Sequence, residues 1–136
     1  MAIADVTSLP VGLSIHSASP HESRLVDAVV EECHTGDLPE RLIGDRAYDS
    51  DALDADLAER GIEMIAPHRR NRKPENKTQD GRKLRRYKRR WRIERFFAWL
   101  QTFRRVRTRD EWRAANYVGM VQLACIIFLL RELSRF

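Results

Sequence analysis

The sequence predicts an α/β domain in which a mixed sheet is flanked by helices, with a long basic helix and an apolar helix at its end. Residues 10–18 alternate between apolar and small or polar side chains, and this period of two is typical of a half-buried strand. Short apolar runs at 41–45 and 62–67 enclose a segment with helical periodicity at 50–60. Strand, helix and strand at this spacing favour a parallel unit.

The N-terminal third predicts a hairpin followed by a helix. We expect a strand at residues 1–4, a turn at 5–9 and a second strand from residue 10. Ser19 and Glu22 match a capping box, which predicts a helix that begins there and places Leu25, Val29 and Cys33 on one apolar stripe.

The remaining elements follow from caps and breakers. Residues 50–60 predict a helix that ends at Gly61, and residues 67–80 predict a basic, polar loop that is mobile without a partner. A long basic helix is expected over residues 82–105 and an apolar helix over 111–133. The apolar run at residues 117–130 has 14 residues, includes Gln122 and is shorter than a membrane span. Since no signal peptide precedes it, we expect a cytoplasmic chain without a membrane partner.

The charge is strongly polarised along the chain. Residues 1–68 carry four arginines and fourteen carboxylates, a net charge of −10, whereas residues 69–113 carry nineteen Lys or Arg and five carboxylates, a net charge of +14. A segment this basic favours a nucleic-acid surface over a merely solubilising one. Cys33 and Cys125 form no motif, and the four histidines lack metal-ligand spacing, so a disulfide scaffold or a zinc site is not expected.

Asp45 and Glu94 are the candidate chemical groups. Asp45 directly follows a short apolar strand, at the end where open α/β sheets place ligands; the alternative is that it caps a turn. Glu94 is an acid within the basic helix, and its alternative is an ordinary salt bridge to Arg90. Carboxylates approach a phosphate backbone only when a cation lies between them, and Mg²⁺ is the usual one.

A polar stripe surrounds Glu94 on the predicted helix. At about 100° per residue, four positions fall within about 60° of one another: Tyr87, Arg90, Glu94 and Gln101.

These residues lie within runs that resemble a known family. The runs at 43–51, 65–71 and 87–100 are similar to the DDE transposases of bacterial insertion sequences, and the likeness extends over about residues 1–130. The most specific element is the family signature Tyr-x2-Arg-x3-Glu-x6-Lys. It matches at Tyr87, Arg90 and Glu94, while Gln101 replaces the final lysine.

The resemblance implies an RNase H-like fold in which three carboxylates hold two divalent ions, Mg²⁺ or Mn²⁺. Asp45 would be the second aspartate and Glu94 the glutamate, acting in DNA strand cleavage and strand transfer. Tyr87, Arg90 and Arg46 would bind DNA, and Gln101 would make a weaker contact without the lysine charge. The implied partner is double-stranded DNA, at transposon ends and target, bound by a homodimer.

The resemblance also implies a departure at the front of the chain. The family's first catalytic aspartate lies on a strand upstream of the hairpin, so residues 1–136 are expected to form a single, N-terminally truncated catalytic domain that lacks its first strand. We do not assign Asp5 as its replacement. The chain alone is then expected to be inactive unless a segment from an upstream frame completes it. The alternative is a non-catalytic basic DNA-binding module, or a transposase inhibitor from a decayed element.

Overall fold

The structure is a computed structural model, which describes residues 1–17, 19–77 and 80–135. The strands are β1 (Ala2–Ala4), β2 (Pro10–Leu13), β3 (Arg41–Ile43) and β4 (Glu63–Ile65). The α-helices are α1 (Val26–Glu31), α2 (Asp51–Glu59), α3 (Gly81–Leu84), α4 (Trp91–Leu100), α5 (Arg104–Arg107) and α6 (Ala114–Leu133). Short 3₁₀ helices lie at Glu22–Arg24, Arg46–Tyr48, Pro74–Asn76 and Arg85–Arg90. Helices and short strands together confirm the α/β class.

The predicted hairpin is confirmed. β1 and β2 pair antiparallel, with Ile3 opposite Gly12. One carboxylate oxygen of Asp5 accepts the N–H groups of Thr7 and Leu9, at 2.7 and 2.9 Å, and so closes the turn. Ser8 takes the positive φ of 75° that a glycine would otherwise supply. The Asp5 carboxylate therefore serves to close the turn.

The strand–helix–strand unit is also confirmed. β3 and β4 pair in parallel, with Leu42 opposite Met64, and α2 connects them. The Ser50 hydroxyl accepts the N–H of Leu53 as an N-cap, and Gly61 follows the helix with a φ of +75°. Among the described residues, however, the four strands form two separate two-stranded sheets rather than one mixed sheet. Each of the four strands has one hydrogen-bonded neighbour there, so no strand joins the two pairs.

The prediction of one long helix over residues 82–105 is wrong. The chain instead runs through α3, a 3₁₀ helix over Arg85–Arg90, α4, a turn and α5. Five of the six residues in that 3₁₀ segment are cationic, and like charges three and four residues apart destabilise an α-helix. The turn after α4 is accompanied by the Thr102 hydroxyl, which donates to the carbonyl of Trp99 at 2.8 Å.

The predicted capping box is wrong as well. The ring of His21 accepts the N–H of Ser23 and caps the 3₁₀ helix at Glu22–Arg24, and α1 begins only at Val26. A histidine ring nitrogen therefore takes the place that was expected for the Ser19 hydroxyl. Ala18 lies outside the described residues, as do residues 78, 79 and 136.

Two hydrophobic clusters hold the elements together. The first joins α1, β3 and α2 around Leu57, and the second joins α4 and α6 around Phe96. The hairpin lies between them, because Ile3 packs on the first cluster and Leu13 on the second. Phe96 is fully buried, with its ring centroid 5.5 Å from that of Phe128. This packing fixes α4, which carries Glu94, relative to the strands.

The last helix is longer than its apolar run indicated. α6 has 20 residues and a mean hydropathy of 1.6, so by length and composition it meets the criteria for a membrane span, contrary to the sequence-based expectation. A core helix of a soluble protein meets the same criteria. One face of α6, through Val121, Ala124 and Phe128, packs in the second hydrophobic cluster.

Candidate functional site

Asp45 lies where β3 ends and the 3₁₀ helix at Arg46–Tyr48 begins. Its Oδ1 accepts the N–H of Ala47 at 2.8 Å, so the turn-capping alternative is confirmed. Its Oδ2 lies 3.9 Å from Nη1 of Arg90. The capping bond therefore fixes one oxygen and directs the other toward α4.

Arg90 connects the two candidate carboxylates. Its Nε and Nη2 donate to Oε1 of Glu94 at 2.9 and 2.5 Å, which confirms the predicted salt bridge. Its Nη1 donates to the Tyr87 hydroxyl at 2.8 Å and also faces Asp45. The hydrogen bond to Glu94 raises the pKa of Arg90 and outweighs the opposing effect of partial burial. One guanidinium thus lies between Asp45 and Glu94, which are 49 positions apart in sequence.

Asp45, Tyr87 and Arg90 border an open groove with a volume of about 490 Å³, and Glu94 contacts its wall through Arg90. It is lined by Asp45, Arg46, Ala47, Pro67, Leu84, Tyr87 and Arg90. The 3₁₀ helix beside it exposes further cations, and within the described part of the chain four of them form no ion pair: Arg85, Arg86, Lys88 and Arg89. The groove wall therefore combines the Asp45 carboxylate with the guanidinium groups of Arg46 and Arg90.

Gln101 is the predicted site residue that the structure does not bring to this groove. It follows the last residue of α4 and is exposed. At 1.5 Å per residue, it lies about 10 Å along the helix axis from Glu94. Tyr87, Arg90, Glu94 and Asp45 are brought together, and Arg46 lines the same groove.

Asp49 is a structural centre of this region that sequence reasoning missed. Its side chain is 4% exposed and accepts the N–H of Arg69 at 2.7 Å and a guanidinium N–H of Arg72 at 2.7 Å. The His68 ring is also 2.8 Å from it. Burial acts to raise the pKa of Asp49, but these partners outweigh it and lower the pKa below the ordinary value. Only the position of Asp49 within the 43–51 motif pointed to it.

The same contacts correct the prediction of a mobile basic loop. Arg72 also binds the Asp51 carboxylate, at the start of α2, and donates to the carbonyl of Asn76 at 2.8 Å. Residues 68–76 are therefore anchored to the turn after β3 and to α2. The reason is that the arginines of this loop meet the acidic half of the chain, which a composition argument treats separately.

The carboxylate groups of Asp45 and Glu94 are of the chemical type that binds a divalent cation. Carboxylate oxygens are the protein ligands that Mg²⁺ prefers, with phosphate oxygens and water completing the shell. Asp45 and Glu94 both face one cationic group already, so their mutual placement suits a shared cation. Among the described residues, no group of three or more His, Cys, Asp or Glu is close enough to hold a metal ion.

Comparison with known proteins gives the family. The model of the Transposase DDE domain family matches residues 1–129. A Burkholderia cepacia protein, described as the candidate transposase for insertion sequence element IS402, is 36% identical over 102 residues. That alignment covers 75% of this chain and 44% of the relative, so the chain spans less than half of the relative's length. No solved structure matches the chain. The resemblance seen in the motifs is confirmed: this chain belongs to the DDE transposases of insertion sequences.

Proposed function

We propose that residues 1–136 form the part of an RNase H-like catalytic domain that cleaves and transfers DNA strands at insertion-sequence ends. The observation that carries this proposal is that one guanidinium, that of Arg90, contacts both Asp45 and Glu94, at a groove whose wall also carries Arg46. A DNA-binding surface alone requires cations but has no use for two carboxylates gathered around one of them. A site for phosphodiester chemistry requires both.

In this proposal Asp45 and Glu94 hold Mg²⁺ or Mn²⁺. When bound, such an ion would supply Lewis-acid chemistry, polarising a phosphoryl oxygen and lowering the pKa of a water molecule or hydroxyl group. Asp45 holds its ligand oxygen in place through the Ala47 N–H bond, and Glu94 is fixed by the buried face of α4. Arg90 binds both carboxylates, so it competes with a divalent cation for them.

The cations of the groove would bind the DNA backbone. Arg90 offers a planar fork of donors that matches phosphate, and Tyr87 offers a hydroxyl that already bonds to Arg90. Arg46 is exposed on the groove wall and would contact the same DNA backbone. Gln101, at the far end of α4, would add a hydrogen bond but no charge. A homodimer on DNA and a cytoplasmic location belong to the same proposal.

We infer that this chain alone cleaves DNA weakly or not at all. Two carboxylates concentrate less negative charge than three, and two dications repel each other strongly at short range. The unpaired edges of β1 and β3 are consistent with a further strand that carries the third aspartate, supplied by an upstream segment. Restoring that segment is then expected to restore cleavage, which Glu94→Ala should abolish.

The test is the effect of Mn²⁺ on the DNA affinity of the 136-residue chain, at constant ionic strength. Wild-type protein should bind a duplex more tightly with Mn²⁺, because an ion held by Asp45 and Glu94 would reduce their repulsion of phosphate and supply a further positive charge. Asp45→Asn and Glu94→Gln should lose this gain. Without metal, both variants should bind DNA more tightly than wild type, since each removes a negative charge facing phosphate. Glu59→Gln, an exposed carboxylate at the end of α2, is the matched control and should behave as wild type.

A non-catalytic DNA-binding module or transposase inhibitor is the second candidate. The observation that favours it is the existing ion pair between Arg90 and Glu94, which satisfies the carboxylate without any metal. This candidate predicts that Mn²⁺ has no effect on DNA affinity in wild type or in either carboxylate variant. Finding no metal effect would therefore contradict a metal site at Asp45 and Glu94 and support the binding module.

A further inference from the structure

Arg69 and Asp49 hold the turn that carries Asp45 from two sides. Asp49, the last residue before Ser50, accepts the backbone N–H of Arg69 at 2.7 Å. In return, the Arg69 guanidinium reaches back to the turn, where its Nη2 donates to the carbonyl of Ala47 at 2.9 Å and its Nε to the carbonyl of Arg46 at 3.2 Å. Each residue thus binds the backbone of the other's segment.

One of these bonds acts directly on the Asp45 carboxylate. The carbonyl of Arg46 and the N–H of Ala47 belong to the same peptide group, which is planar. Arg69 binds the carbonyl end of that plane, and Oδ1 of Asp45 accepts from the N–H end at 2.8 Å. Holding the carbonyl therefore fixes the direction of the N–H, and the N–H fixes the rotation of the Asp45 carboxylate.

The orientation of that carboxylate decides where its free oxygen points. Oδ2 of Asp45 lies in the groove, 3.9 Å from Arg90, only while Oδ1 remains on the Ala47 N–H. The basic loop is fixed in the same way, since Asp49 also binds Arg72 and contacts His68. The geometry therefore couples the loop at 68–72 to the position of a candidate metal ligand.

We propose that Arg69 and Asp49 are positioning residues for a divalent-cation site at Asp45. This inference rests on the proposed function, since it requires that Asp45 bind a cation. Groups that orient a metal ligand typically change metal affinity by about 10–100-fold when they are removed.

A purely electrostatic role for Arg69 predicts the opposite result. Arg69 is a cation near the groove, so removing its charge reduces repulsion of a divalent ion and should tighten metal binding. Loss of positioning should weaken it. The sign of the change in metal affinity therefore separates the two roles.

The test is a Mn²⁺ titration of the 136-residue chain, followed by paramagnetic broadening of the amide signals of residues 44–47. Arg69→Gln should weaken the apparent affinity about tenfold. Arg69→Lys keeps the charge but replaces the two separate nitrogens that reach the carbonyls of Arg46 and Ala47 with a single one, so it should also weaken the affinity. Arg70→Gln is the matched control, because Arg70 is the exposed neighbour and makes no hydrogen bond or ion pair with the described residues. It should leave the affinity unchanged or slightly tighter.

Hydrogen exchange of single amides gives the second readout. Arg69→Gln should speed exchange of the Ala47 N–H while the buried Leu57 amide exchanges as in wild type. Equal acceleration at both amides would mean that the variant unfolds, and the Arg69→Lys result then decides. Unchanged or tighter Mn²⁺ binding by Arg69→Lys overturns the positioning role.

The two proposals fail in different ways. If Asp45→Asn abolishes the broadening but both Arg69 variants bind Mn²⁺ as wild type does, positioning is wrong and the proposed function stands. If Asp45→Asn has no effect on the titration, the cation site itself is absent, and the proposed function fails together with this inference.

Discussion

Arg90→Gln should change the free energy of unfolding, the metal affinity and the DNA affinity in different ways. Arg90 forms two ion pairs, with Glu94 and with Asp45, and the three side chains are 32%, 56% and 43% exposed. Partly exposed pairs contribute about 0–1 kcal/mol each, so the free energy of unfolding should fall by no more than about 2 kcal/mol. The fold should therefore persist, which makes the variant usable in binding experiments.

The same ion pairs set the expected effect on metal binding. A cation that displaces Arg90 must break them, at a cost of up to about 2 kcal/mol. Since about 1.4 kcal/mol corresponds to a factor of ten, Arg90→Gln should tighten Mn²⁺ binding by up to about thirtyfold. Arg95→Gln is the control on the same helix, where an exposed arginine beside Glu94 makes no hydrogen bond or ion pair with the described residues.

DNA binding by Arg90→Gln should change in the opposite direction. Loss of one phosphate contact lowers the slope of log affinity against log salt concentration by about 0.9. The assay is fluorescence anisotropy with a duplex over a series of salt concentrations, beside a Mn²⁺ titration of the free protein. Weaker Mn²⁺ binding together with an unchanged salt slope would refute the reasoning, because Arg90 would then neither compete for the carboxylates nor contact phosphate.

Three further substitutions test the fold that supports the site. Asp49→Asn should lower the free energy of unfolding by about 2 kcal/mol at neutral pH. Because the pKa of Asp49 is lowered in the folded state, its contribution is complete above about pH 4 and is lost as the pH falls through the lowered value. Urea unfolding should therefore show a gap between variant and wild type that shrinks below about pH 4, and a constant gap would contradict the assignment. Phe96→Ala should cost about 3–5 kcal/mol by calorimetry, and a loss under about 1 kcal/mol would place the second cluster elsewhere. Gly44→Ala would put a Cβ 2.5 Å from Cε of Met64 and 2.6 Å from Cδ2 of Tyr48. It should cost about 1–3 kcal/mol in urea unfolding, whereas equal stability would show that both side chains can move away.

Local patterns predicted the elements that bring Asp45 into place. The alternation at 10–18 predicted the hairpin, and the short apolar runs predicted the parallel pair around α2 because each run contains one strand. Ser50 and Gly61 marked the ends of α2 correctly, since a cap and a positive φ are local properties. The single mixed sheet was not found among the described residues, because strand pairing depends on neighbours that are distant in sequence.

The candidate site was predicted in part. At the level of sequence, a turn cap at Asp45 and a salt bridge at Glu94 are alternatives to a functional role. In the structure the cap orients Asp45 and the salt bridge partner also faces Asp45, so the local interactions build the groove. Helical periodicity placed Gln101 on the same stripe, but it takes no account of distance along the axis. Asp49 was missed because its partners Arg69 and Arg72 are 20 or more positions away.

The measurement that tests the central claim most directly is iron-mediated cleavage of the protein backbone, with Fe²⁺, ascorbate and peroxide and the 136-residue chain. A shared cation site predicts cuts near residue 45 and near residue 94. Excess Mg²⁺ should suppress both cuts, and Asp45→Asn should remove both together. The account is contradicted if neither site is cut, or if the cut near Glu94 persists unchanged in Asp45→Asn.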